Sequence, residues 1–328
     1  MIRLTILIVL LVINAGAEYS EKALLEGINL ILDQQYAMSI NKADSLIEES
    51  PLSPSGYFLK SMIFEARMVD YEKTGDEEVF LETTGKCIET CKRIIDSGNA
   101  GAETYFFAGA AKAVISAHKF RFSEYFEGTG NFLKADKYLD KSLEINPEFY
   151  DSFFFKSLYS FAKEKFFSIF ALPFLSKKEV PGSVKLMETC ADSGKYTAGF
   201  ARLALISMYT SSGFPEKAVA AAEKFLRSHK ENRAALWMLS DAYEAMGKDK
   251  KMINTVERLI ASTEKIPEGS PYNLAALHLR AINYYLKRDN KRKALEHKEK
   301  ALLLRDAPGC GKREKKLLEE ISDREILL

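Results

Sequence analysis

FARLALISMYTSSGFPEKAVAAAEKFLRSHKENRAALWMLSDAYEAMGKDKKMINTVERLI, residues 200–260, contains one phrase twice. Leu205, Tyr209 and Gly213 return as Leu239, Tyr243 and Gly247, each 34 residues later. A leucine and a tyrosine four residues apart share one helix face, and a glycine four further on is a natural helix stop. Each copy therefore opens with one helix. Apolar residues at helical spacing predict a second helix after it. A fixed period with two amphipathic helices per copy marks a stack of helix pairs, in which neither face is buried until the neighbouring pair covers it.

The pattern continues in both directions. A later copy offers Tyr285, Ala294, Ala301 and Leu302, displaced by eight residues around Ile266, Pro267 and Pro271. Toward the N-terminus the period lengthens: Tyr57-Phe58-Leu59-Lys60-Ser61, Tyr105-Phe106-Phe107-Ala108-Gly109 and Phe153-Phe154-Phe155-Lys156-Ser157 lie 48 residues apart. Asp96-Ser97-Gly98 returns as Asp192-Ser193-Gly194, 96 residues on, and Ala135, Leu139, Ser142 and Pro147 outline a second helix with a closing proline. Each long unit reads as a 34-residue repeat with about 14 extra residues between its helices. The opening unit from Ser20 to Ser53, with Gly27, Tyr36 and Pro51, returns to 34. Small residues at Gly27, Ser61, Gly109, Ser157 and Ser240 are expected where a paired helix approaches closely.

Leu205, Tyr209, Gly213 and Ala218, then Leu239, Ser240, Tyr243 and Gly247, resemble the tetratricopeptide repeat pattern, and the whole chain resembles the exported bacterial members of that family. The resemblance implies an all-α, right-handed solenoid of antiparallel helix pairs, about seven repeats in a TPR-like superhelix. Residues 18–198 carry mostly long repeats with aromatic inserts, 199–311 are more regular, and 312–328, with Leu317, Leu318 and Ile321, are predicted to form a capping helix. Lys312, Arg313, Lys315 and Lys316 read as the solvated start of that helix.

The N-terminal residues have a separate role. Arg3, an apolar run from Leu4 to Ile13 and Ala15-Gly16-Ala17 follow the order of a cleaved signal peptide, residues 1–17, and the run is short for a membrane span. No cysteine follows Ala17, so the lipoprotein pattern is missing. Periplasmic or extracellular location is expected. Removal of Arg3 leaves 46 basic and 46 acidic residues. That balance argues against nucleic-acid binding, and no stable membrane insertion is expected after cleavage.

No phosphate loop, dinucleotide glycine pattern, nucleophile elbow or zinc-protease helix is present, so no enzyme activity, no cofactor and no metal is expected. His118 and His278 read as decorations of helix faces. Cys87 and Cys91, four apart on one helix, read as small core residues, and Cys190 sits on another helix. Cys310, in a glycine-rich turn, is a candidate surface thiol. Pairing among the four over long range stays open.

In the resembled family the first helix of each pair lines a concave surface. Carried onto this chain, one lining position gives Leu24, Phe58, Phe106, Phe154, Leu203, Trp237 and Leu279, all apolar, and others give Asp241, Glu244, Asn283 and Lys287. Two readings compete for the apolar groove at Phe58, Phe106 and Phe154. It takes an apolar ligand, or the inserts Phe120, Phe122, Tyr125 and Phe126, with Phe166, Phe167, Phe170 and Phe174, fold back over it. The second is preferred, which places a protein or peptide partner near Trp237. A peptide-carboxylate clamp is not supported, because the position that would carry its basic residues is apolar. The expected function is a non-enzymatic interaction scaffold or adaptor. A small-molecule or lipid-binding accessory of an envelope uptake or assembly system is the alternative.

Overall fold

The structure, a computed structural model, describes residues 20–170 and 180–326, with only the backbone of 166–170. The expected signal peptide, and the side chains of Phe166, Phe167, Phe170 and Phe174, lie outside the described residues. Among the described residues there are fifteen α-helices and no strand. α1 covers 20–32, α2 Tyr36–Glu49, α3 Pro54–Tyr71, α4 Glu77–Asp96, α5 Ala102–Arg121, α6 Tyr125–Ile145, α7 Ser152–Phe170 and α8 Gly182–Ser193. α9 covers Ala198–Ser211, α10 Pro215–Ser228, α11 Arg233–Ala245, α12 Asp249–Thr263, α13 Pro271–Leu286, α14 Lys291–Leu302 and α15 Lys312–Ser322. Gly213 and Gly247, the repeated glycines, take φ of 81° and 63°, so each ends its helix in the left-handed conformation that glycine reaches without strain.

The long repeats correct one expectation. In the first two long units the extra residues do not form loops between helices: they lengthen the helices, while the corresponding part of the third, 171–179, lies outside the described residues. α5 has 20 residues and α6 has 21, against 14 in α10 and 13 in α11. Only residues 122–124 join α5 to α6, turned by Ser123 at φ 64°. Apolar residues at helical spacing continue straight through the added length, so extending a helix keeps every new backbone group hydrogen-bonded, which a loop would not.

The chain divides into two compact units, Met1–Arg67 with Gly75–Ala171 and Lys185–Ala201, and Met68–Thr74 with Leu172–Val184 and Arg202–Leu328. In the first, a Cβ added at Gly109 would stand 2.8 Å from Leu139 of α6, and one at Gly27 would stand 2.3 Å from Leu59 of α3. Ser61 and Ser157 are fully buried. The small residues therefore sit where helices touch.

Phe58 and Phe106 meet edge to face at 5.9 Å, and Phe106 packs on Phe149 and Tyr196 at 5.3 and 6.1 Å. Phe58, Phe106 and Phe154 are 2, 0 and 8 % exposed, so all three belong to the packed interior of this unit. The first insert does not cover them: Phe120 and Phe122 are 40 % exposed, Tyr125 is 64 % and Phe126 is 93 %. The residues over Phe106 are instead Phe149 and Tyr196, at the ends of later helices. Cys87, Cys91 and Cys190 are buried, Cys310 is half-buried, and none of the four is in a disulfide. The hydrogen bond with Cys91, then burial, pushes the Cys87 thiol up.

Tyr196 is held by Asp151. The Asp151 carboxylate, 2 % exposed, accepts the backbone N–H groups of Lys195 at 3.0 Å, Tyr196 at 2.7 Å and Thr197 at 2.7 Å, and the Thr197 hydroxyl at 2.8 Å. Four donors on one anion fix the turn that leads into α9, and the Thr197 N–H is one that a helix N-terminus cannot satisfy itself.

In the second unit α15 packs on α13 and α14, with Leu318 and Ile321 fully buried. The basic start of this helix is not simply solvated. The Arg313 guanidinium lies 3.4 Å from the Tyr272 ring centre and 2.9 Å from the Glu72 carboxylate. Segment 68–74 is further fixed by Arg233, which forks onto both oxygens of Asp70, by Ser270 on the Tyr71 carbonyl at 3.0 Å and by Asn273 on the Asp70 carbonyl at 2.9 Å.

Candidate functional site

α11 and α13 are the first helices of neighbouring pairs in the second unit, and their polar positions converge. Asp241 and Glu244 lie three apart on α11, hence on one face, and Arg280 of α13 reaches both. Its guanidinium donates to Asp241 at 2.7 Å, to Glu244 at 2.6 Å and to the Ser240 hydroxyl at 2.8 Å. Asn283, one turn along α13, accepts from Arg324 at 2.6 Å, and Arg324 also meets Glu320 at 3.1 Å. Lys298 of α14 donates to the carbonyls of Ser322 and Arg324 at 2.8 and 2.6 Å, which fixes the C-terminal end of α15 beside α14. Arg288 lies over the Tyr284 ring at 4.1 Å and pairs with Asp249 at 2.5 Å.

These groups line a cleft of about 320 Å³ that includes Glu244, Arg280, Asn283, Lys287, Arg288 and Arg324. Lys287 is exposed and has no carboxylate within ion-pair distance among the described residues. The cleft thus offers fixed charges of both signs and one ammonium that has no carboxylate within ion-pair distance among the described residues.

Of the residues expected from the sequence, Glu244, Asn283 and Lys287 meet in this cleft, and Asp241 is tied to it through Arg280. Trp237, Leu203 and Leu279 are half-buried and do not line it. Arg280, Arg288 and Arg324 were missed. Arg280 and Arg288 neighbour Leu279 and Lys287 in sequence, but Arg324 comes from the cap.

The histidines correct a second expectation: they do not decorate surfaces. His118, fully buried, contacts Glu65 at 2.8 Å and Glu77 at 3.2 Å. His278 and His297, 3 and 5 % exposed, face each other through Nδ1 atoms 3.0 Å apart, and His297 bonds Glu257 at 3.1 Å. Burial first, then the neighbouring His297, drives His278 down to about 4. The hydrogen bond from His297 lowers Glu257. Neither ring lines the cleft, so this acid–base cluster is an internal brace among α12, α13 and α14. Among the described residues, no group of three or more His, Cys, Asp or Glu is placed to hold a metal ion. No described helix is long and apolar enough to cross a membrane.

A larger cleft, about 770 Å³, lies in the first unit, lined among others by Leu24, Ser53, Glu103, Phe107 and Tyr196. The Tyr196 hydroxyl donates to Glu103. Burial and that carboxylate raise Tyr196 far above an ordinary phenol.

No family model matches the sequence, and no curated protein matches it. Solved structures do. Over 92 % of this chain and 48 % of the other, the fold is similar to a chain of the Cut9–Hcn1 hetero-tetramer of APC/C, with a TM-score of 0.57 at 14 % identity. The C-terminal part of a TPR repeat-containing protein from Cytophaga hutchinsonii matches with a TM-score of 0.47 at 15 % identity, over 90 % of this chain and 99 % of that one. A tetratricopeptide repeat protein from Parabacteroides merdae matches with a TM-score of 0.42 at 12 % identity, over 93 % and 100 %. The paired helices, the repeated glycine stops and the first of these likenesses identify the fold as an all-α helical-repeat solenoid.

Proposed function

We propose that the protein is a non-enzymatic interaction scaffold, exported to the periplasm or beyond the cell, that holds a protein or peptide partner in the cleft formed by α11, α13 and the start of α12, with Arg324 beyond α15. The observation that carries this reading is the convergence of Glu244, Arg280, Asn283 and Lys287 on one cleft, with Lys287 uncompensated. An acidic side chain of a partner, or a row of its backbone carbonyls, is the complement of such a lining. Export rests on the sequence of residues 1–17. Affinity capture from the exported fraction tests both parts. A partner retained by the wild type and lost from Lys287→Glu and Asn283→Ala is the expected result; equal capture by all three rejects the cleft. N-terminal sequencing of the exported protein is expected to begin at Glu18.

The 770 Å³ cleft of the first unit favours a second reading, a small-molecule accessory role. It mixes apolar walls with a carboxylate and a phenol, the usual lining of a site for a small amphiphilic ligand. Native mass spectrometry of gently purified protein decides it: a co-purifying small molecule is expected, and apo protein alone counts against it.

A further inference from the structure

The charge balance of the whole chain conceals an asymmetry. Residues 202–328 carry 25 Lys and Arg against 18 Asp and Glu, while 1–201 carry 22 against 28. The neutrality read from the whole sequence therefore does not describe the second unit.

Part of that positive surplus surrounds a second cleft, about 450 Å³, between α10 and α12, the second helices of adjacent pairs. Its floor is apolar: Leu226, Leu239 and Tyr243 are 8, 6 and 7 % exposed. Its rim holds Arg227, Lys251 and Arg258 against one carboxylate, Glu223. Glu223 is already engaged, because the Tyr243 hydroxyl donates to it at 2.8 Å. Lys251 sits over the Tyr243 ring at 5.3 Å, which keeps its ammonium at the rim. Arg258 donates to the Lys230 carbonyl and meets Glu231, which does not line the cleft, at 3.3 Å. Arg227 is exposed and has no carboxylate within ion-pair distance among the described residues.

Three cations around an apolar floor repel one another and gain from an anion placed among them, and the floor gains from an apolar side chain that excludes water. We propose that this groove docks an acidic segment of a partner protein, anchored by an apolar side chain on Leu226, Leu239 and Tyr243, with its carboxylates on Arg227, Lys251 and Arg258. The cleft volume falls within the roughly 300–1,000 Å³ of ordinary binding sites. A polyanion lacking apolar groups satisfies the rim and leaves the floor empty, so a nucleic acid fits less well than a peptide. This surface shares no lining residue with the cleft around Arg280 and Lys287, and the two proposals stand or fall independently.

The test uses the full chain and a short fluorescein-labelled peptide of alternating glutamate pairs and leucines, with binding read by fluorescence anisotropy. The same peptide with serine for each leucine, and heparin as a competitor, are the comparisons. Saturable binding is expected, at least about tenfold tighter for the leucine peptide than for the serine one. Arg227→Glu with Lys251→Glu is expected to weaken it at least about tenfold, while Arg280→Ala, in the other cleft, leaves it unchanged. If the double reversal fails to fold, as judged by circular dichroism, Arg227→Ala replaces it, with a loss of about threefold. No saturable binding, equal binding of the serine peptide, displacement by heparin at equal charge, or indifference to the charge changes would each overturn the proposal.

Discussion

Replacing Asp151 with alanine removes one carboxylate and strands four donors. The N–H groups of Tyr196 and Thr197 are buried, that of Lys195 is partly buried, and the Thr197 hydroxyl is free to rotate toward another acceptor. A buried donor left unmade costs about 1–3 kcal/mol, and the space vacated by the carboxylate is large enough for water to rescue part of that loss. About 3–4 kcal/mol is therefore expected for Asp151→Ala. For a chain of this size that corresponds to a melting transition lowered by roughly 4–6 °C. Asp151→Asn keeps one carbonyl acceptor but turns an N–H toward the remaining donors, so about half that loss is expected. Urea titration followed by circular dichroism gives the ordering. A loss below about 1 kcal/mol for the alanine variant would refute the claim that this carboxylate organises the start of α9.

Three further outcomes follow from the packing. His278 titrates near 4 in the folded chain and near 6.5 when unfolded, so the unfolded state takes up its proton first. Stability is therefore expected to fall by about 3 kcal/mol as pH drops from 6.5 to 4, with little further loss from this group below that, and His278→Gln should flatten the slope of urea midpoint against pH in that window. Gly85 of α4 has nothing within 4 Å of an added Cβ, whereas the one at Gly109 strikes Leu139, so Gly85→Ala should raise stability by about 0.5–1 kcal/mol and Gly109→Ala lower it by about 1–3 kcal/mol in the same denaturation assay. Arg233→Ala leaves Asp70, whose side chain is 8 % exposed, without its guanidinium; a loss of about 2–4 kcal/mol is expected, larger than for Arg280→Ala, whose carboxylate partners are 55 and 57 % exposed.

The regular part of the fold was legible because its punctuation is local: Tyr209 and Gly213, then Tyr243 and Gly247, state a helix and its end within five residues. The long repeats were half legible. Their 48-residue period is plain, but whether extra residues extend a helix or loop out depends on whether the added apolar face finds a partner, and that partner lies in the next helix. The candidate cleft was visible where one helix supplied it, as at Asn283 and Lys287. Arg280 escaped because its role is set by Asp241 and Glu244 on another helix, and Arg324 because the cap brings it back beside Asn283. The histidines were misread for the same reason. An isolated imidazole on a polar-looking helix suggests solvent, yet Glu65 and Glu77 wait for His118 more than forty residues upstream.

The three-residue connection between α5 and α6 bears on how the first unit reaches its native state. Joining two helices of 20 and 21 residues through so short a turn costs little loop-closure entropy, so this hairpin can form early, from contacts close in sequence. The clasp of Asp151 on residues 195–197 spans more than forty residues and must come later. Gly109→Ala should accordingly slow folding, whereas Asp151→Ala should chiefly hasten unfolding, a division readable from the two arms of a chevron plot.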